Sequence, residues 1–351
     1  MRNRTILLEN IAISDDSKCF VIAEIGHNHQ GNVELCKQMI KAAFDAGATA
    51  VKLQKRSNKN LFTKQYFDRP YNSENSFGAT YGEHRENLEF DRDQYLELQA
   101  FSAQLGVIFF ATAFDFESAD FLEDLNVPAY KVASGDLKNI PLITYLATFG
   151  KPLFLSTGGG TIEDVDRVVA TLDDTGAQYC IMQCTAGYPP AWDELNLGVI
   201  SEFRDRYTSP VIGFSSHDSG IAMAAAAYAL GARVVEKHFT LNRTLKGTDH
   251  AFSLEPQGLR KMIRDLDRLH LAMGDGQKRQ FASEKDPLQK MGKKMVFVRG
   301  MTRGAVLTLE DIAFKSPGDG LAPWMIAQVV GKQLTRDVQA DEALEIADLQ
   351  Q

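Results

Sequence analysis

Two histidines at the ends of neighbouring apolar runs could bind a divalent metal ion. His217 follows the run 210–215, and His238 lies near the end of the run 232–239, so each imidazole would stand at the end of a β-strand. Two imidazoles at one edge would leave coordination positions open for water and a substrate oxygen. Acidic residues lie close to them in the sequence: Asp218, Glu236 and Asp249. The pattern predicts a metal site, with a structural role for both histidines as the alternative.

Two lysines inside apolar runs could bind a compact anion. Lys52 and Lys131 are each flanked by apolar residues, and a buried ammonium group is costly unless an anion lies beside it. Phosphate or carboxylate is one such anion, and structural ion pairs with Glu24 or Asp136 are the alternative. Hydroxyl groups at predicted strand ends would add donors: Ser134, Ser156 and Ser215. The glycine run 156–160 opens toward a predicted helix, whose N-terminus favours negative charge.

Apolar runs and helical segments alternate along most of the chain. Strands are predicted at 20–26, 49–54, 107–112, 129–134, 152–157, 179–185, 210–215 and 232–239. Segments of helical periodicity lie between them, and several end in Gly, the usual residue just beyond a helix C-terminus. Eight strand–helix units over about 250 residues are typical of an α/β fold of the closed (β/α)₈ TIM-barrel type. An open doubly wound sheet is the alternative, but no GxGxxG motif follows the first strand.

The sequence pattern changes toward the C-terminus of the chain. We predict a barrel domain at 1–280, a polar linker at 281–293 and a small domain of short β-runs and turns at 294–351. A domain of this size buries little core alone, so we expect it to pack against another surface. Within the barrel, the long polar and aromatic segment 55–92 follows the second strand, where a barrel places its active-site loops. We interpret that segment as a lid or substrate wall.

The overall charge argues against two classes of partner. A formal net charge of −8 provides no basic surface for nucleic acid or for an anionic membrane. The polar N-terminus does not resemble a signal peptide, and no apolar run approaches the roughly 20 residues of a membrane span. The four cysteines form no CxxC pair and are expected to be reduced thiols. We therefore expect a cytoplasmic protein that acts on small molecules.

The segments around these residues resemble the sialic acid (N-acetylneuraminate) synthase family. The matching segments are AEIGHNHQG (23–31), KLQK (52–55), YKVASGD (130–136), LSTGG (155–159), QCTAGYP (183–189), GFSSHDSG (213–220), EKHFTL (236–241) and GTDHAFSLEP (247–256). The end of the chain resembles the antifreeze-like (SAF) domain of that family through LTLEDIAFKSPGDG (307–320) and VVGKQLTRDV (329–338). The resemblance therefore covers nearly the whole chain.

The resemblance implies a transferase that joins phosphoenolpyruvate to N-acetylmannosamine or its 6-phosphate, with mannose 6-phosphate as a further acceptor. The product would be a nine-carbon 2-keto-3-deoxy sugar acid and inorganic phosphate. The resemblance also implies a divalent metal, Mn²⁺ in the first place and Mg²⁺ or Co²⁺ as alternatives. It further implies a domain-swapped homodimer in which each SAF domain covers the partner's active site. A pyruvate aldolase, using a metal or a Schiff-base lysine such as Lys131 or Lys52, is the alternative activity.

The family's functional residues can be carried over position by position. The implied metal ligands are His217 and His238. Positions that match the phosphoenolpyruvate site are Lys52, Thr112, Lys131, Ser134, Ser156 and Ser215. Positions around the sugar and the reacting carbons are Glu24, Gln54, Asp136, Tyr188 and Asp249. The implied catalytic set comprises Glu24, Asp136, His217 and His238.

Two departures from the family bear on the acceptor sugar. Bacterial members typically carry Lys-Arg-Pro-Gly in the SAF domain, and that Arg reaches the partner's sugar site. This chain has Ser316 at the corresponding position, so the resemblance does not carry that contact over. The loop 69–90 is instead similar to the animal-type N-acetylneuraminate-9-phosphate synthases, which use a 6-phosphorylated sugar. We hypothesise a sugar 6-phosphate, with a solvated loop face as the alternative; the candidate contacts are Lys55, Arg56, Arg69, His84 and Arg85.

Overall fold

A computed structural model describes residues 4–350, which divide after Gly274 into two compact units. The first unit begins with an antiparallel hairpin of β1 (Thr5–Leu8) and β2 (Ile11–Ser14). Parallel strands then close into a barrel: β3 (Phe20–Gly26), β4 (Ala50–Lys55), β5 (Ile108–Ala113), β6 (Tyr130–Val132), β7 (Leu153–Ser156), β8 (Tyr179–Gln183), β9 (Val211–Ser216) and β10 (Val234–His238). Strand β10 pairs with β3 and closes the ring. The predicted (β/α)₈ barrel is confirmed.

Helices connect successive barrel strands. They are α1 (Val33–Asp45), α2 (Asn58–Leu61), α3 (Lys64–Phe67), α4 (Tyr81–Glu86), α5 (Arg92–Leu105), α6 (Phe116–Asp124), α7 (Ile140–Thr148), α8 (Ile162–Thr175), α9 (Gly198–Arg206), α10 (Ala222–Leu230) and α11 (Pro256–Met273). The buried residues of α1 recur at helical spacing and form one face toward the barrel: Cys36, Met39, Ile40 and Ala43. Helices α5 and α8 are capped at their C-termini by Gly106 and Gly176, whose φ angles of 82° and 69° favour glycine.

The strand register brings polar residues to one rim of the barrel. Glu24 on β3 is the register partner of Lys52 on β4, and Thr112 on β5 is the partner of Lys131 on β6. All the strands are parallel, so their C-terminal ends meet at the same end of the barrel. Side chains two positions apart on a strand share a face. The polar strand ends predicted from the sequence therefore converge.

The long connection between β4 and α5 is folded rather than extended. It contains α2, α3 and α4, and an aromatic cluster centred on Tyr81 holds them together. Tyr66 lies 4.9 Å and Tyr71 lies 5.5 Å from Tyr81, measured between ring centroids. Asn75 Oδ1 accepts a hydrogen bond from Gly247 N–H at 3.0 Å, which ties this connection to the loop after β10. The segment therefore forms a fixed wall beside the barrel rim.

The second unit has its own small core. It contains α12 (Lys285–Met291) and an antiparallel pair of β11 (Lys294–Phe297) and β12 (Ile312–Lys315). Helix α12 lies inside the stretch 281–293 that the sequence indicated as a linker. Apolar side chains pack together in the unit: Met295, Phe297, Leu307, Ile312, Val329, Leu334, Val338, Leu344 and Leu349. Across residues 4–350, no helix is both long and apolar enough to cross a membrane.

Candidate active site

A cavity of about 750 Å³ is lined by residues from the C-terminal ends of the barrel strands and from the loops that follow them. All the residues predicted for the site except Asp136 line it: Glu24, Lys52, Gln54, Thr112, Lys131, Ser134, Ser156, Tyr188, Ser215, His217, His238 and Asp249. A volume of this order accommodates a small-molecule ligand. The structure therefore brings the predicted metal, anion and sugar positions into one place.

Two lysines and two glutamates form the charged base of the cavity. Lys52 Nζ lies 2.6 Å from Glu24 Oε2 and 3.6 Å from Glu236 Oε1. Lys131 Nζ lies 3.7 Å from the same Glu236 oxygen. Lys52 also donates a hydrogen bond to Thr112 Oγ1 at 2.8 Å. All four charged side chains are buried, and each ammonium group has a carboxylate beside it, which makes its burial tolerable.

The two glutamates at the base differ in protonation. Burial raises the pKa of Glu24 to about 7; Glu236 adds to this shift and Lys52 opposes it. Burial acts in the same direction on Glu236, but Lys131 and Lys52 outweigh it and hold the pKa of Glu236 below its ordinary value. Carboxyl groups with pKa values pushed apart are typical of acid–base sites. Glu24 can therefore gain or lose a proton near neutral pH.

Hydroxyl groups lie beside Lys131. Its Nζ donates a hydrogen bond to Ser156 Oγ at 2.6 Å, and burial lowers the pKa of this lysine. Gly158 N–H donates to Ser134 Oγ at 3.1 Å. A Cβ atom at position 158 would lie only 2.7 Å from that oxygen, so glycine allows the loop after β7 to approach Ser134. The predicted anion pocket thus contains ammonium and hydroxyl donors together.

His217 and His238 face each other at the rim, with ring centroids 5.2 Å apart. His217 Nδ1 donates a hydrogen bond to the Thr185 carbonyl oxygen at 3.1 Å, which leaves Nε2 as the unprotonated nitrogen. Burial, and then the neighbouring His238, lower the pKa of His217 to about 3. Burial also lowers the pKa of His238. Both imidazoles are therefore in the neutral form that binds metal ions.

This donor set fits a divalent metal ion with two protein ligands. His238 Nδ1 is buried and has no hydrogen-bond partner within residues 4–350; the carboxylate oxygen Asp249 Oδ2 lies 3.7 Å away. A buried nitrogen of this kind calls for an ion or a water molecule. In the described part of the chain, no group of three or more His, Cys, Asp or Glu side chains is arranged to hold a metal. A metal would therefore depend on the two imidazoles, water and substrate.

Aromatic rings enclose the two imidazoles. The Tyr188 ring centroid lies 4.0 Å from that of His217, and Phe252 lies 5.7 Å from His217 and 5.1 Å from His238. Phe252 is buried, whereas Tyr188 is 58% exposed. Phe252 therefore shields the histidines on one side, and Tyr188 remains accessible to a ligand in the cavity.

Two arginines from the connection after β4 line the same cavity. Arg56 is buried, with its guanidinium carbon 3.7 Å from the centroid of the Phe114 ring, and Arg85 donates to Tyr81 Oη at 2.8 Å. The two guanidinium groups flank His27: Arg56 Nη1 lies 3.1 Å from Nε2, and Arg85 Nη1 lies 3.2 Å from Nδ1. The long connection thus contributes a second cationic group to the cavity.

Within residues 4–350, neither Arg56 nor Arg85 forms a direct ion pair with a carboxylate. The charges of Glu89 and Asp249 act on Arg56 without such a direct contact, and Asp249 interacts in the same way with Arg85. Burial, and then the charge of Arg85, lower the pKa of Arg56 to about 10. A neutral imidazole accepts a hydrogen bond at only one nitrogen, so His27 cannot satisfy both guanidinium groups. An anion bound between the arginines would satisfy both.

The structure does not bring Asp136 into the cavity. Strand β6 ends at Val132, and residues 134–136 form a 3₁₀ turn in which Ser134 and Gly135 line the cavity. Asp136 instead accepts a hydrogen bond from Asn139 Nδ2 at 3.3 Å. Burial raises the pKa of Asp136, and the charge of Arg56, which does line the cavity, opposes this shift. The expected place of Asp136 near the reacting carbons therefore stays a prediction.

Glu236 belongs to the site, although the sequence marked it only as an acidic neighbour of the histidines. It lines the cavity together with His238, two positions further along β10. Its place could have been predicted from the alternation of side chains along a strand. Residues two positions apart share a face, and His238 was already predicted to face the site.

Only two of the five residues predicted to contact a sugar phosphate line the cavity. Arg56 and Arg85 line the cavity, whereas Lys55, Arg69 and His84 do not. Lys55 pairs with a carboxylate oxygen of Glu89 at 3.2 Å, and the Arg69 guanidinium stacks 3.7 Å from the centroid of the Tyr66 ring. The buried His84 accepts a hydrogen bond from Phe77 N–H at 3.1 Å.

Comparison with known proteins identifies the family of this chain. Residues 39–278 match the NeuB family, and residues 295–350 match the SAF domain, which confirms the implied C-terminal domain. N-acetylneuraminate-9-phosphate synthase from Drosophila melanogaster is 40% identical over 93% of this chain and 94% of its own length. The Homo sapiens protein of the same name is 38% identical over 93% of this chain and 91% of its own length. The crystal structure of N-acetylneuraminic acid (sialic acid) synthetase from Leptospira borgpetersenii serovar Hardjo-bovis, in complex with citrate, superposes with a TM-score of 0.72 at 31% identity, covering 81% of this chain and 95% of that one.

Proposed function

Because this chain belongs to the NeuB family, we propose that it condenses phosphoenolpyruvate with the open-chain form of N-acetylmannosamine 6-phosphate. The products are a phosphorylated nine-carbon 2-keto-3-deoxy sugar acid and inorganic phosphate. One observation carries the proposal: a single cavity contains two separate cationic groups. Lys52 and Lys131 lie at its base, and Arg56 and Arg85 line it without a direct ion pair to a carboxylate within residues 4–350. Two anionic substrates would each find a receptor.

Phosphoenolpyruvate suits the base of the cavity. It carries a carboxylate and a phosphate within a few bonds of each other, and two ammonium groups with adjacent hydroxyls can bind both. Glu24 and Glu236 are the carboxylates beside these lysines before substrate arrives, and each lies beside at least one ammonium group. The 3.6 and 3.7 Å separations from Glu236 are longer than direct hydrogen bonds, so substrate oxygens can compete for these ammonium groups.

A phosphate on the acceptor suits Arg56 and Arg85. Planar guanidinium groups bind phosphate oxygens in pairs, and these two form no direct ion pair with a carboxylate in residues 4–350. The names of the fruit-fly and human relatives specify a 9-phosphate product. Phosphoenolpyruvate supplies three of the nine carbons, so a phosphate on the ninth carbon corresponds to one on the sixth carbon of the sugar. The relatives and the unpaired arginines therefore support the same acceptor.

His217 and His238 are the residues that would hold the metal ion, Mn²⁺ in the first place. When bound, such an ion supplies Lewis-acid polarisation of the aldehyde oxygen. The two imidazoles contribute neutral nitrogen ligands, and Thr185 fixes the ring of His217 through its carbonyl oxygen. Phe252 packs against both rings and restricts their access to water.

Glu24 is the group that moves a proton. The methylene carbon of phosphoenolpyruvate forms the new bond to the aldehyde carbon, water adds to the carbon that bears the phosphate, and phosphate then leaves. With its pKa raised to about 7 by burial, Glu24 can take the proton of that water and return it to a leaving or developing oxygen. Gln54 Nε2 donates to Glu24 Oε1 at 2.6 Å and orients the carboxyl group.

Exposed apolar side chains support a homodimer as part of the proposal. Leu271, Met291 and Trp324 are 78%, 66% and 76% exposed, respectively. Tryptophan and methionine are enriched at surfaces that another chain covers. Sedimentation equilibrium of the whole protein tests the dimer, and a mass that stays at the 38.9 kDa of one chain at all concentrations would contradict it.

The test of the proposed function is release of phosphate from phosphoenolpyruvate with N-acetylmannosamine, its 6-phosphate and mannose 6-phosphate, each in Mn²⁺ and in EDTA. We expect metal-dependent release, with kcat/KM about tenfold to 100-fold higher for the 6-phosphate than for the free sugar. His217→Ala should abolish release. His270→Ala is the matched control, because His270 contacts Tyr228 and does not line the cavity.

The aldolase alternative gives the opposite result in the same experiment. A Schiff-base enzyme would be trapped by borohydride and pyruvate on Lys131 or Lys52, would keep its activity in EDTA and would release no phosphate from phosphoenolpyruvate. Lys131 has a pKa lowered by burial, which is a property of Schiff-base lysines, so trapping is a necessary arm of the test. Equal turnover of free and phosphorylated sugar would contradict only one part of the proposal, namely that the arginine pair binds the acceptor phosphate.

A further inference from the structure

A second buried ion pair lies behind the two histidines and does not line the cavity. Asp218 directly follows His217 in the chain, and Lys237 directly precedes His238. Both side chains of the pair are 2% exposed. Lys237 and Ser216 are register partners on β10 and β9, on the strand faces opposite to those of the histidines. The pair therefore joins the two strand ends that carry the imidazoles.

The contacts of Lys237 fix the backbone as well as the side chain of Asp218. Lys237 Nζ donates to Asp218 Oδ1 at 2.7 Å and to the Asp218 carbonyl oxygen at 2.6 Å. Ser216 Oγ donates to the same Oδ1, and Asp218 N–H donates to Ser216 Oγ at 3.3 Å. The turn after His217 is thus hydrogen-bonded to the residue before His238. Neither strand end can shift without breaking several of these bonds.

Stability alone does not account for a pair of this kind. Removing two charges from water is expensive, and replacement of a buried ion pair by apolar residues is often neutral or stabilising. What a buried pair supplies is one defined geometry, because each charge is satisfied in a single arrangement. Here that arrangement sets the separation of two candidate metal ligands, whose rings lie 5.2 Å apart.

We propose that Asp218 and Lys237 are positioning residues that hold His217 and His238 at the separation required to bind one divalent metal ion. The inference rests on the metal site in the proposed function, since the ion pair acts only through the two imidazoles. Residues that orient metal ligands typically change metal affinity by about tenfold to 100-fold when they are replaced. Loss of the pair should therefore weaken metal binding even where the fold is intact.

The experiment measures Mn²⁺ affinity of the whole, substrate-free protein from the electron paramagnetic resonance signal of free Mn²⁺. Asp218→Asn keeps the volume and one acceptor oxygen of the side chain, and the double variant Asp218→Asn/Lys237→Met removes both charges of the pair. We expect Mn²⁺ affinity to fall about tenfold or more in the double variant and less in the single one. Lys151→Met is the matched control: it removes a lysine–carboxylate pair of 2.6 Å just before β7. It should bind Mn²⁺ as the native protein does.

Two further readouts separate positioning from loss of the fold. Thermal unfolding in EDTA should occur closer to the native midpoint in the double variant, which leaves neither charge of the pair without its partner, than in Asp218→Asn. The spectrum of bound Mn²⁺ in the double variant should nevertheless change, because the ligand geometry has changed. Native affinity and spectrum in both variants would overturn the proposal. Affinity that falls only in parallel with the unfolding midpoint, with an unchanged spectrum, would also overturn it. His217→Ala distinguishes failure of the premise: if that variant binds Mn²⁺ normally, the metal site itself is wrong.

Discussion

Lys52 Nζ lies 2.6 Å from Glu24 Oε2 at the bottom of the cavity, and the two residues are register partners on adjacent strands. Glu236, on the other side of β3, lies 3.6 Å from the same ammonium group. One lysine is therefore shared between a carboxyl group whose pKa is raised to about 7 and one whose pKa is held low. An arriving substrate anion would take part of this charge away from the glutamates, which couples substrate binding to the proton on Glu24.

Lys52→Met should destabilise the protein, because it leaves Glu24 buried beside another carboxylate without its cation. Breaking a buried pair on one side costs about 3–5 kcal/mol, and protonation of Glu24 reduces that cost at low pH. Urea unfolding at neutral pH measures the change in free energy. The double variant Glu24→Gln/Lys52→Met should recover most of the loss. If the double variant is as unstable as the sum of the two single variants, Lys52 and Glu24 are not energetically coupled.

Arg85→Met should weaken binding of a phosphorylated sugar selectively. A hydrogen bond to a charged group contributes about 1.5–3 kcal/mol, so we expect KM for the 6-phosphate to rise by roughly tenfold to 100-fold. KM for phosphoenolpyruvate should change little, because Lys52 and Lys131 are untouched. Steady-state kinetics with each substrate varied in turn measures both values. Arg69→Met is the matched control from the same segment: Arg69 stacks on Tyr66 and does not line the cavity. An equal effect of both substitutions would contradict a specific contact.

Much of the fold could be predicted from the sequence, because each barrel strand is a short apolar run buried on both faces. The strand at Phe20–Gly26 has the predicted bounds, and the others differ by a few residues at their ends. The N-terminal hairpin at Thr5–Leu8 and Ile11–Ser14 was not predicted, since two four-residue strands give too little periodicity to detect. The helices of the long connection were missed for a related reason: side-chain contacts around Tyr81, rather than helical periodicity, hold them together.

Some residues of the candidate site could be predicted from the sequence, and others could not. Residues at strand ends, such as Lys52 and His238, were placed correctly because the barrel topology brings the C-terminal ends of all strands to one rim. The position of Asp136 could not be predicted in the same way, because the 3₁₀ turn after β6 cannot be inferred from a periodic pattern. The selection of Arg56 and Arg85 over Lys55 and their other charged neighbours depends on tertiary contacts, including the stack on Phe114, which no local pattern encodes.

Addition of Mn²⁺ should raise the unfolding temperature of the native protein, and EDTA should reverse the change. A ligand that binds only the folded state adds about 2.7 kcal/mol of stability at a free concentration of 100 times its Kd. Differential scanning calorimetry measures the shift. His238→Ala should remove it, because a single imidazole would remain. The same variant in EDTA serves as the control for any effect on the fold. A shift that persists in His238→Ala would place the metal elsewhere.

His29 should lower the stability of the folded protein in acid, which is an effect on the free energy of unfolding and not on catalysis. Burial, with a contribution from His27, lowers the pKa of His29 to about 3; its ring stacks on Phe90 at 4.1 Å, and its Nδ1 accepts a hydrogen bond from Gly31 N–H. In the unfolded chain a histidine titrates near pH 6.5, so between about pH 6.5 and 3 only the unfolded state binds this proton. The free energy of unfolding should therefore fall as the pH drops below the pKa of a histidine in the unfolded chain. The contribution of this residue is about 1.4 kcal/mol per pH unit. Urea unfolding of native protein and His29→Gln at several pH values tests this. The variant should show the shallower slope in acid and a parallel curve above neutral pH; equal slopes in acid would show that His29 is protonated in the folded protein.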